Sequence, residues 1–161
     1  MVRIAATGHR PAKCPCGYKE DHKWLKEVKG RLYADLDVGW SSRQLDHVVQ
    51  GGAIGWDTWF AETALDIGIP VHSYLPFKGQ ESKWPKVAQD RYFRVLEKSA
   101  KVIYICEAYS NKAFYLRDRA MIDNCDLVFA LLDPMNKDSG TFTTVEYAES
   151  KGIDVENYWR D

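Results

Sequence analysis

Residues 126–132, with the sequence DLVFALL, form an apolar run without the alternation of polar and apolar side chains that marks a half-exposed strand. Such a run is typical of a strand in a parallel sheet, where helices cover both faces. Helices are predicted on either side of it, at 111–124 and 140–151. The run therefore predicts a parallel strand that lies between two layers of helices.

The same order of strands and helices extends outward along the chain. Further strands are predicted at 2–6, 46–49, 69–75, 102–106 and 153–155, and further helices at 22–38, 56–67 and 86–99. Strands that alternate with helices predict a mainly parallel sheet in a three-layer α/β fold. With 161 residues and no repeat or linker, residues 1–161 are expected to form one domain. Ligands of such sheets bind beyond the carboxyl ends of the strands, so the loops there are the candidates for a site.

Composition and charge exclude several classes of protein. Hydrophobic residues make up 45% of the chain and charged residues 28%, which excludes a disordered protein. The net charge of −1 offers no general attraction to phosphates, so we do not expect nucleic acid as a partner. Because there is no long apolar run and no signal-peptide pattern, we expect a cytoplasmic protein without a membrane partner. The spacing of Cys14 and Cys16 is unlike that of zinc ligands, and neither a metal nor a cofactor is expected.

The loop after the first predicted strand, TGHRP at 7–11, combines a glycine turn with groups that bind anions. Gly8 allows a backbone turn that other residues disfavour. Thr7 offers a hydroxyl, and Arg10 offers a planar guanidinium that suits phosphate or carboxylate. The alternative is a plain turn with an arginine on the surface.

Two later loops place glycine before the start of a helix. In GGAIGWD (51–57), backbone N–H groups and the helix dipole could face an anion, although the spacing differs from the dinucleotide fingerprint and from the P-loop. The alternative there is tight packing of strand on helix. Asp57 falls in the first turn of the predicted helix, where it could pair with the helix dipole or contact a ribose hydroxyl. Ser139, Gly140 and Thr141 form a second candidate phosphate site, with an ordinary helix cap as the alternative.

Two further segments could contribute to ligand recognition. In the loop 76–84, Trp84 could stack on a base and Gln80 could bond to its edge, or the loop could be plain surface. On the predicted helix 111–124, Arg117 and Arg119 point in different directions, and only Arg117 is expected at a site. The alternative for this arginine pair is an exposed charge cluster.

Taken together, these segments resemble the SLOG superfamily, in particular its YspA/YpsA-like branch. The matching segments are TGHRP (7–11), GGAIGWDTWFAE (51–62), PFKGQESKW (76–84), LRDRAMIDNCDLVFALLD (116–133) and SGTFTTVEYA (139–148). The resemblance implies a Rossmann-like α/β/α fold that binds a nucleotide or a nucleotide-derived ligand across these loops. Related groups include DprA/Smf and the LOG phosphoribohydrolases. The LOG enzymes cleave the N-glycosidic bond of nucleoside monophosphates, whereas several other relatives resemble ligand sensors.

The LOG pattern is only partly present. LOG enzymes carry an Arg-Lys pair on a helix and then P-G-G-x-G-T-x-x-E-E. Arg117 matches the arginine, but Asp118 replaces the lysine. Gly140 and Thr141 match the Gly-Thr pair, whereas Thr144 stands where the first glutamate is expected. The resemblance therefore does not reproduce the LOG active site.

We predict from these observations a module that binds a nucleotide or nucleotide-derived ligand as a sensor or a sequestering protein. The residues expected at the ligand are Thr7, Gly8, His9, Arg10, Gly51, Gly52, Ala53, Asp57, Gln80, Trp84, Arg117, Asp133, Ser139, Gly140 and Thr141. The alternative is a nucleoside 5′-monophosphate N-glycosidase in which Asp57, Asp133 or Glu146 supplies the carboxylate that stabilises an oxocarbenium-like transition state. The third hypothesis is an oligomeric interaction scaffold with a vestigial site. The SLOG resemblance leaves a homo-oligomer open.

Overall fold

Six strands alternate with five α-helices in the computed structural model, which describes residues 1–161. The strands are β1 (Val2–Gly8), β2 (Leu45–Gln50), β3 (Val71–Leu75), β4 (Lys101–Tyr104), β5 (Leu127–Leu131) and β6 (Asp154–Asn157). The helices are α1 (Lys23–Ser41), α2 (Trp56–Ile67), α3 (Lys86–Lys98), α4 (Ala113–Asp123) and α5 (Gly140–Ser150), with a short 3₁₀ turn at Pro11–Lys13. This order confirms the predicted α/β fold. None of the helices has both the length and the hydrophobicity that a membrane span requires.

All strands run parallel, in the order β4-β3-β2-β1-β5-β6. The chain builds the sheet outward from β1 to β4 and then returns to the other side of β1 with β5. The strand order therefore reverses between β1 and β5, which is where ligands bind in folds of this type. Pairing of Thr7 with Ala130 and of Gly8 with Leu131 carries β1 two residues beyond the predicted end.

The buried side chains form one cluster on each face of the sheet. Phe129 and Leu131 of β5 pack in the larger cluster, with residues of α1 and α2. Val128 and Ala130 face the opposite way and pack in the smaller cluster, with residues of α4 and α5. The two faces of β5 are therefore both covered, as the absence of alternation in DLVFALL predicts.

Close packing joins the end of β1 to the start of α2. Trp56 is fully buried, and its ring N–H donates to the carbonyl oxygen of Phe129 at 3.0 Å. A Cβ on Gly8 would lie only 2.4 Å from the Trp56 side chain. Gly55, just before α2, has φ of 103°, and a Cβ there would lie 2.7 Å from the carbonyl oxygen of His9. Glycine is needed at both positions, because any side chain would separate the helix from the strand end.

Candidate functional site

A cleft of about 580 Å³ opens at the carboxyl ends of the central strands, at the point where the strand order reverses. Most of the residues predicted at the ligand line this cleft: Thr7, Gly8, His9, Arg10, Ala53, Asp57, Gln80, Arg117, Ser139, Gly140 and Thr141. Residues that the sequence did not single out for the site also line it: Ala6, Ala12, Lys13, Phe114, Asp118, Asn136 and Asp138. The cleft therefore draws on the exits of β1, β2, β3 and β5 and on one face of α4.

The remaining predicted residues lie outside the lining of the cleft. Gly51 and Gly52 are buried beneath it, and Cβ atoms there would come within 2.9 Å of Arg117 and within 2.7 Å of Leu75, respectively. Trp84 packs edge-on against the ring of Tyr92, with the ring centroids 5.4 Å apart.

The other two non-lining predictions are both carboxylates. One oxygen of Asp133 accepts the backbone N–H of Met135 at 2.9 Å, which closes a local turn. Glu146 is exposed on α5. These two carboxylates, which were candidates for glycosidic catalysis, are therefore not brought to the cleft.

The glycine loop after β2 is held by side chains of the protein itself. Asp57 Oδ2 accepts the backbone N–H groups of Gly51 and Ala53 at 3.1 Å and 3.3 Å. Gln50 Oε1 accepts the N–H of Gly52 at 2.6 Å, and its amide nitrogen donates to Ser73 Oγ at 2.7 Å. The N–H groups of Gly51, Gly52 and Ala53 are thus already satisfied, and Asp57 occupies the place that the sequence assigned to a ligand anion.

Burial strongly affects the Asp57 carboxyl group. Removal from water raises its pKa to about 6, although the positive charge of Arg117 and the two backbone donors act in the opposite direction. Asp57 Oδ1 has no hydrogen-bond partner within the chain, and the residue borders the cleft. A carboxyl group that exchanges a proton near neutral pH can act as a general acid or base.

Arg117 is committed to contacts within the protein. Its guanidinium donates to the carbonyl oxygen of Gly51, and its Nε donates to Asp118 at 2.7 Å. The Thr144 hydroxyl lies 2.9 Å from the carbonyl oxygen of Gly140 and 3.3 Å from the second oxygen of Asp118, the two acceptors for its single proton. Asp118 and Thr144 therefore contact each other at the two positions where the chain departs from the LOG pattern. A carboxylate is present in this part of the site after all, but it lies on α4 rather than on α5.

His9 connects the exits of β1 and β5. Its Nε2 accepts the backbone N–H of Asp133 at 2.9 Å, and its own backbone N–H donates to Leu131 at 3.1 Å. The side chain is buried, and desolvation lowers its pKa from the ordinary value. An unprotonated Nε2 is required to accept this bond, so the neutral ring holds together the two loops that flank the cleft.

The first turn of α5 presents unpaired backbone donors to the cleft. Ser139 caps the helix, because its Oγ accepts the N–H of Phe142 at 3.1 Å. The N–H groups of Gly140 and Thr141 have no partner within the chain, as expected for the first two residues of a helix. A Cβ on Gly140 would meet no atom within 4 Å, so this glycine borders open space.

Two exposed cations line the same cleft. Arg10 and Lys13 follow β1, and neither forms an ion pair with a carboxylate of the chain. Arg10 lies in the TGHRP segment and was predicted from the sequence, whereas Lys13 was not; the 3₁₀ turn at Pro11–Lys13 brings Lys13 into the cleft. Together with the start of α5, these side chains provide donors for an anion.

Neither a cluster of metal ligands nor a cysteine lines the cleft. No group of three or more His, Cys, Asp or Glu side chains is arranged to hold a metal ion. Cys14 and Cys16 are buried in the larger core cluster, and their thiols contact backbone carbonyl oxygens. Burial raises the pKa of Cys14 to about 12 and that of Cys125 to about 11, which keeps both thiols protonated.

The model of the YspA SLOG family matches residues 4–158, nearly the whole chain. The chain belongs to the YspA SLOG family. Among curated proteins, this SLOG chain is 25% identical over 149 residues to a UPF0398 protein of Brevibacillus brevis, covering 88% of the chain and 78% of that protein. It is 28% identical over 145 residues to a UPF0398 protein of Bacillus velezensis, covering 83% and 76%, respectively.

Solved structures of low sequence identity share the fold. DNA processing protein A (DprA) of Streptococcus pneumoniae is 21% identical, with a TM-score of 0.67 over 98% of this SLOG chain and 50% of that protein. The Helicobacter pylori DprA, whose single-stranded DNA binding mode has been described, is 16% identical, with a TM-score of 0.65 over 97% and 64%. The protein TM1055 is 15% identical, with a TM-score of 0.59 over 96% and 72%. The chain spans about half the length of the S. pneumoniae protein.

Proposed function

We propose that this protein binds a nucleotide or a nucleotide-derived metabolite in the cleft at the strand reversal, and that it acts as a sensor or sequestering protein. The observation that carries the proposal is the pairing of two free cations with a free helix start. Arg10 and Lys13 line the cleft together with the unpaired N–H groups of Gly140 and Thr141. A phosphate is the common anion that such a combination binds.

The rest of the cleft suits a sugar and a base better than a bare phosphate. Asp57 and Asp118 provide carboxylate oxygens that can accept hydrogen bonds from hydroxyl groups. Gln80 provides an amide, and Phe114 provides an aromatic ring, half exposed, at the same cleft. Membership in the SLOG family supports this assignment.

A small nucleotide fits the charge of the cleft better than a polynucleotide does. The cationic side chains that line it are Arg10, Lys13 and Arg117, and the carboxylates are Asp57, Asp118 and Asp138. Tracking a nucleic acid backbone generally requires a groove with a clear excess of positive charge. The likeness to DprA therefore concerns the fold, and we place DNA binding below nucleotide binding.

The test measures binding of the four common nucleoside 5′-monophosphates by isothermal titration calorimetry. Lys13→Glu reverses one of the two free cations and should weaken binding about tenfold or more, because a charge-assisted contact becomes a repulsion. Lys19→Glu is the matched control, since Lys19 is exposed in the same segment, has no ion pair and does not line the cleft. Equal effects of the two substitutions, or no binding of any nucleotide to the wild type, would contradict the proposal.

The second candidate function is hydrolysis of the N-glycosidic bond of a nucleotide. The observation that favours it is the presence of two carboxyl groups at one cleft, Asp57 with a pKa of about 6 and Asp118 paired with Arg117. A carboxyl group with a raised pKa beside an ionised one is the arrangement that glycosidic cleavage uses. Release of free base by the wild type, and its loss in both Asp57→Asn and Asp118→Asn, would establish the hydrolase. A bound nucleotide that stays intact would leave binding as the only function of the cleft.

A further inference from the structure

A second, smaller cavity adjoins the cleft between α4 and α5. It has a volume of about 310 Å³ and shares Phe114, Asp118 and Gly140 with the cleft. Its remaining wall contains Arg119 and the aromatic rings of Tyr115 and Tyr147. A ligand that fills the cleft can therefore extend past Asp118 into this cavity without leaving the protein surface.

Two aromatic rings hold the guanidinium of Arg119 in this cavity. Its central carbon lies 3.9 Å from the centroid of the Tyr147 ring and 4.5 Å from that of the Tyr115 ring. The Tyr147 hydroxyl donates to Asp123 at 2.7 Å, which fixes the ring beneath the guanidinium. The position of this cation is thus set before any ligand arrives, which lowers the entropic cost of binding.

No carboxylate of the protein forms an ion pair with Arg119, although Asp123 lies close enough to interact with its charge. The nearby Asp118 is paired with Arg117, and Asp123 is paired with Lys151. Arg119 forms no ion pair, and its buried Nε has no hydrogen-bond partner. A guanidinium that forms no ion pair and lines a cavity is suited to bind an anion.

We propose that the cavity around Arg119 is a second anion site, and that the ligand is a sugar flanked by two anionic groups, such as a nucleoside 3′,5′-bisphosphate. The proposal rests on the proposed nucleotide-binding function, because the first anion is the phosphate at the start of α5. Asp118 stands in the wall that the two cavities share. Its negative charge repels a phosphate but accepts hydrogen bonds from hydroxyls, so the neutral sugar belongs there and the anions belong on either side.

The test compares a nucleoside 5′-monophosphate with the matching 3′,5′-bisphosphate and 5′-diphosphate, using the base that the wild type binds best. The bisphosphate should bind about tenfold to a hundredfold more tightly than the monophosphate, the range expected for one additional charge-assisted contact. Arg119→Gln should reduce this ratio to about two or less and leave the affinity for the monophosphate unchanged. Arg119→Lys, which keeps the charge, should retain part of the ratio.

The control variant is Arg94→Gln, because Arg94 is an exposed arginine that forms no ion pair and lines neither cavity. It should leave every affinity unchanged, and thermal unfolding should confirm that all variants are folded. A bisphosphate that binds the wild type no better than the monophosphate would overturn the second site while leaving the proposed function intact. Equal weakening of both ligands by Arg119→Gln would also overturn it. Failure of all nucleotides to bind the wild type would instead reject the proposed function itself.

A polynucleotide also contains sugars flanked by two phosphates, so a single-stranded decanucleotide is a necessary comparison. A free nucleotide as the ligand predicts that the decanucleotide binds no more tightly than the bisphosphate. Tight binding of the decanucleotide with no measurable binding of the bisphosphate would assign the two sites to nucleic acid and overturn the proposal.

Discussion

Replacing Arg117 with alanine should destabilise the fold, even though the residue lines the candidate site. Its side chain is buried, and it supplies the donors for the carbonyl oxygen of Gly51 and for Asp118. Its charge also opposes the rise in the pKa of the buried Asp57. The substitution therefore leaves one carbonyl and two carboxylates without their cationic partner.

The expected loss follows from the burial of this network. Removing one partner of a buried ion pair costs about 3–5 kcal/mol, because the other charge remains buried and uncompensated. For a domain of 161 residues, each kcal/mol lowers the melting temperature by about 2–4 °C. Arg117→Ala should therefore lower the melting temperature by about 6–20 °C.

The assay is urea unfolding followed by circular dichroism, with Asp57→Asn and the double variant included. If Arg117 supports the ionised form of Asp57, the loss caused by Arg117→Ala should be smaller by about 1–3 kcal/mol in the Asp57→Asn background. Arg119→Ala is the matched control, since it removes an arginine two residues away that has no ion pair, and it should cost about 1 kcal/mol or less. A loss below about 1 kcal/mol for Arg117→Ala, or strict additivity with Asp57→Asn, would refute the structural role.

Three further predictions concern the packing, the pH dependence and the thiols. Gly8→Ala should lower the free energy of unfolding by about 1–3 kcal/mol in a thermal melt, because the new methyl group overlaps Trp56; an unchanged melting temperature would contradict this. His9 has a lowered pKa, so its contribution to stability is complete above pH 6.5 and declines as the pH falls. The difference in unfolding free energy between the wild type and His9→Gln should therefore shrink below that pH. A constant difference would argue against the neutral ring. At pH 8, iodoacetamide should alkylate the half-buried Cys106 before the buried Cys125, whose pKa is raised to about 11. Mass spectrometry of the peptides measures this order, and earlier alkylation of Cys125 would contradict the prediction.

Local patterns were sufficient to predict the order of elements and the position of the cleft. The apolar run at 126–132 is covered on both faces, and Ser139 caps α5 as a serine before a helix commonly does. These features depend on side chains that are close in the sequence. The cleft follows from a general rule for parallel sheets, since the carboxyl ends of the strands meet at one edge.

The assignment of donors within the cleft depended on contacts between distant parts of the chain. Gly51 and Arg117 are separated by 66 residues, and their hydrogen bond engages within the protein an arginine that the sequence predicted at the ligand. The contact between Asp118 and Thr144 joins residues that are 26 positions apart, and it places a carboxylate beside the position where LOG enzymes carry their first glutamate. No periodicity or spacing contains this information, because it depends on how helices pack across the sheet.

The three-layer parallel fold and the loops that form the cleft were thus predictable from the sequence alone, because hydrophobic periodicity and glycine placement act over a few residues. The tertiary structure alone showed which polar groups remain available to a ligand. The N–H groups of Gly51, Gly52 and Ala53 are used by Asp57 and Gln50. Arg10, Lys13 and Arg119, in contrast, line the cavities and have no ion-pair partner. The physical reason is that a buried hydrogen-bonding group takes the partner that packing brings to it, and only the unsatisfied groups are left for recognition.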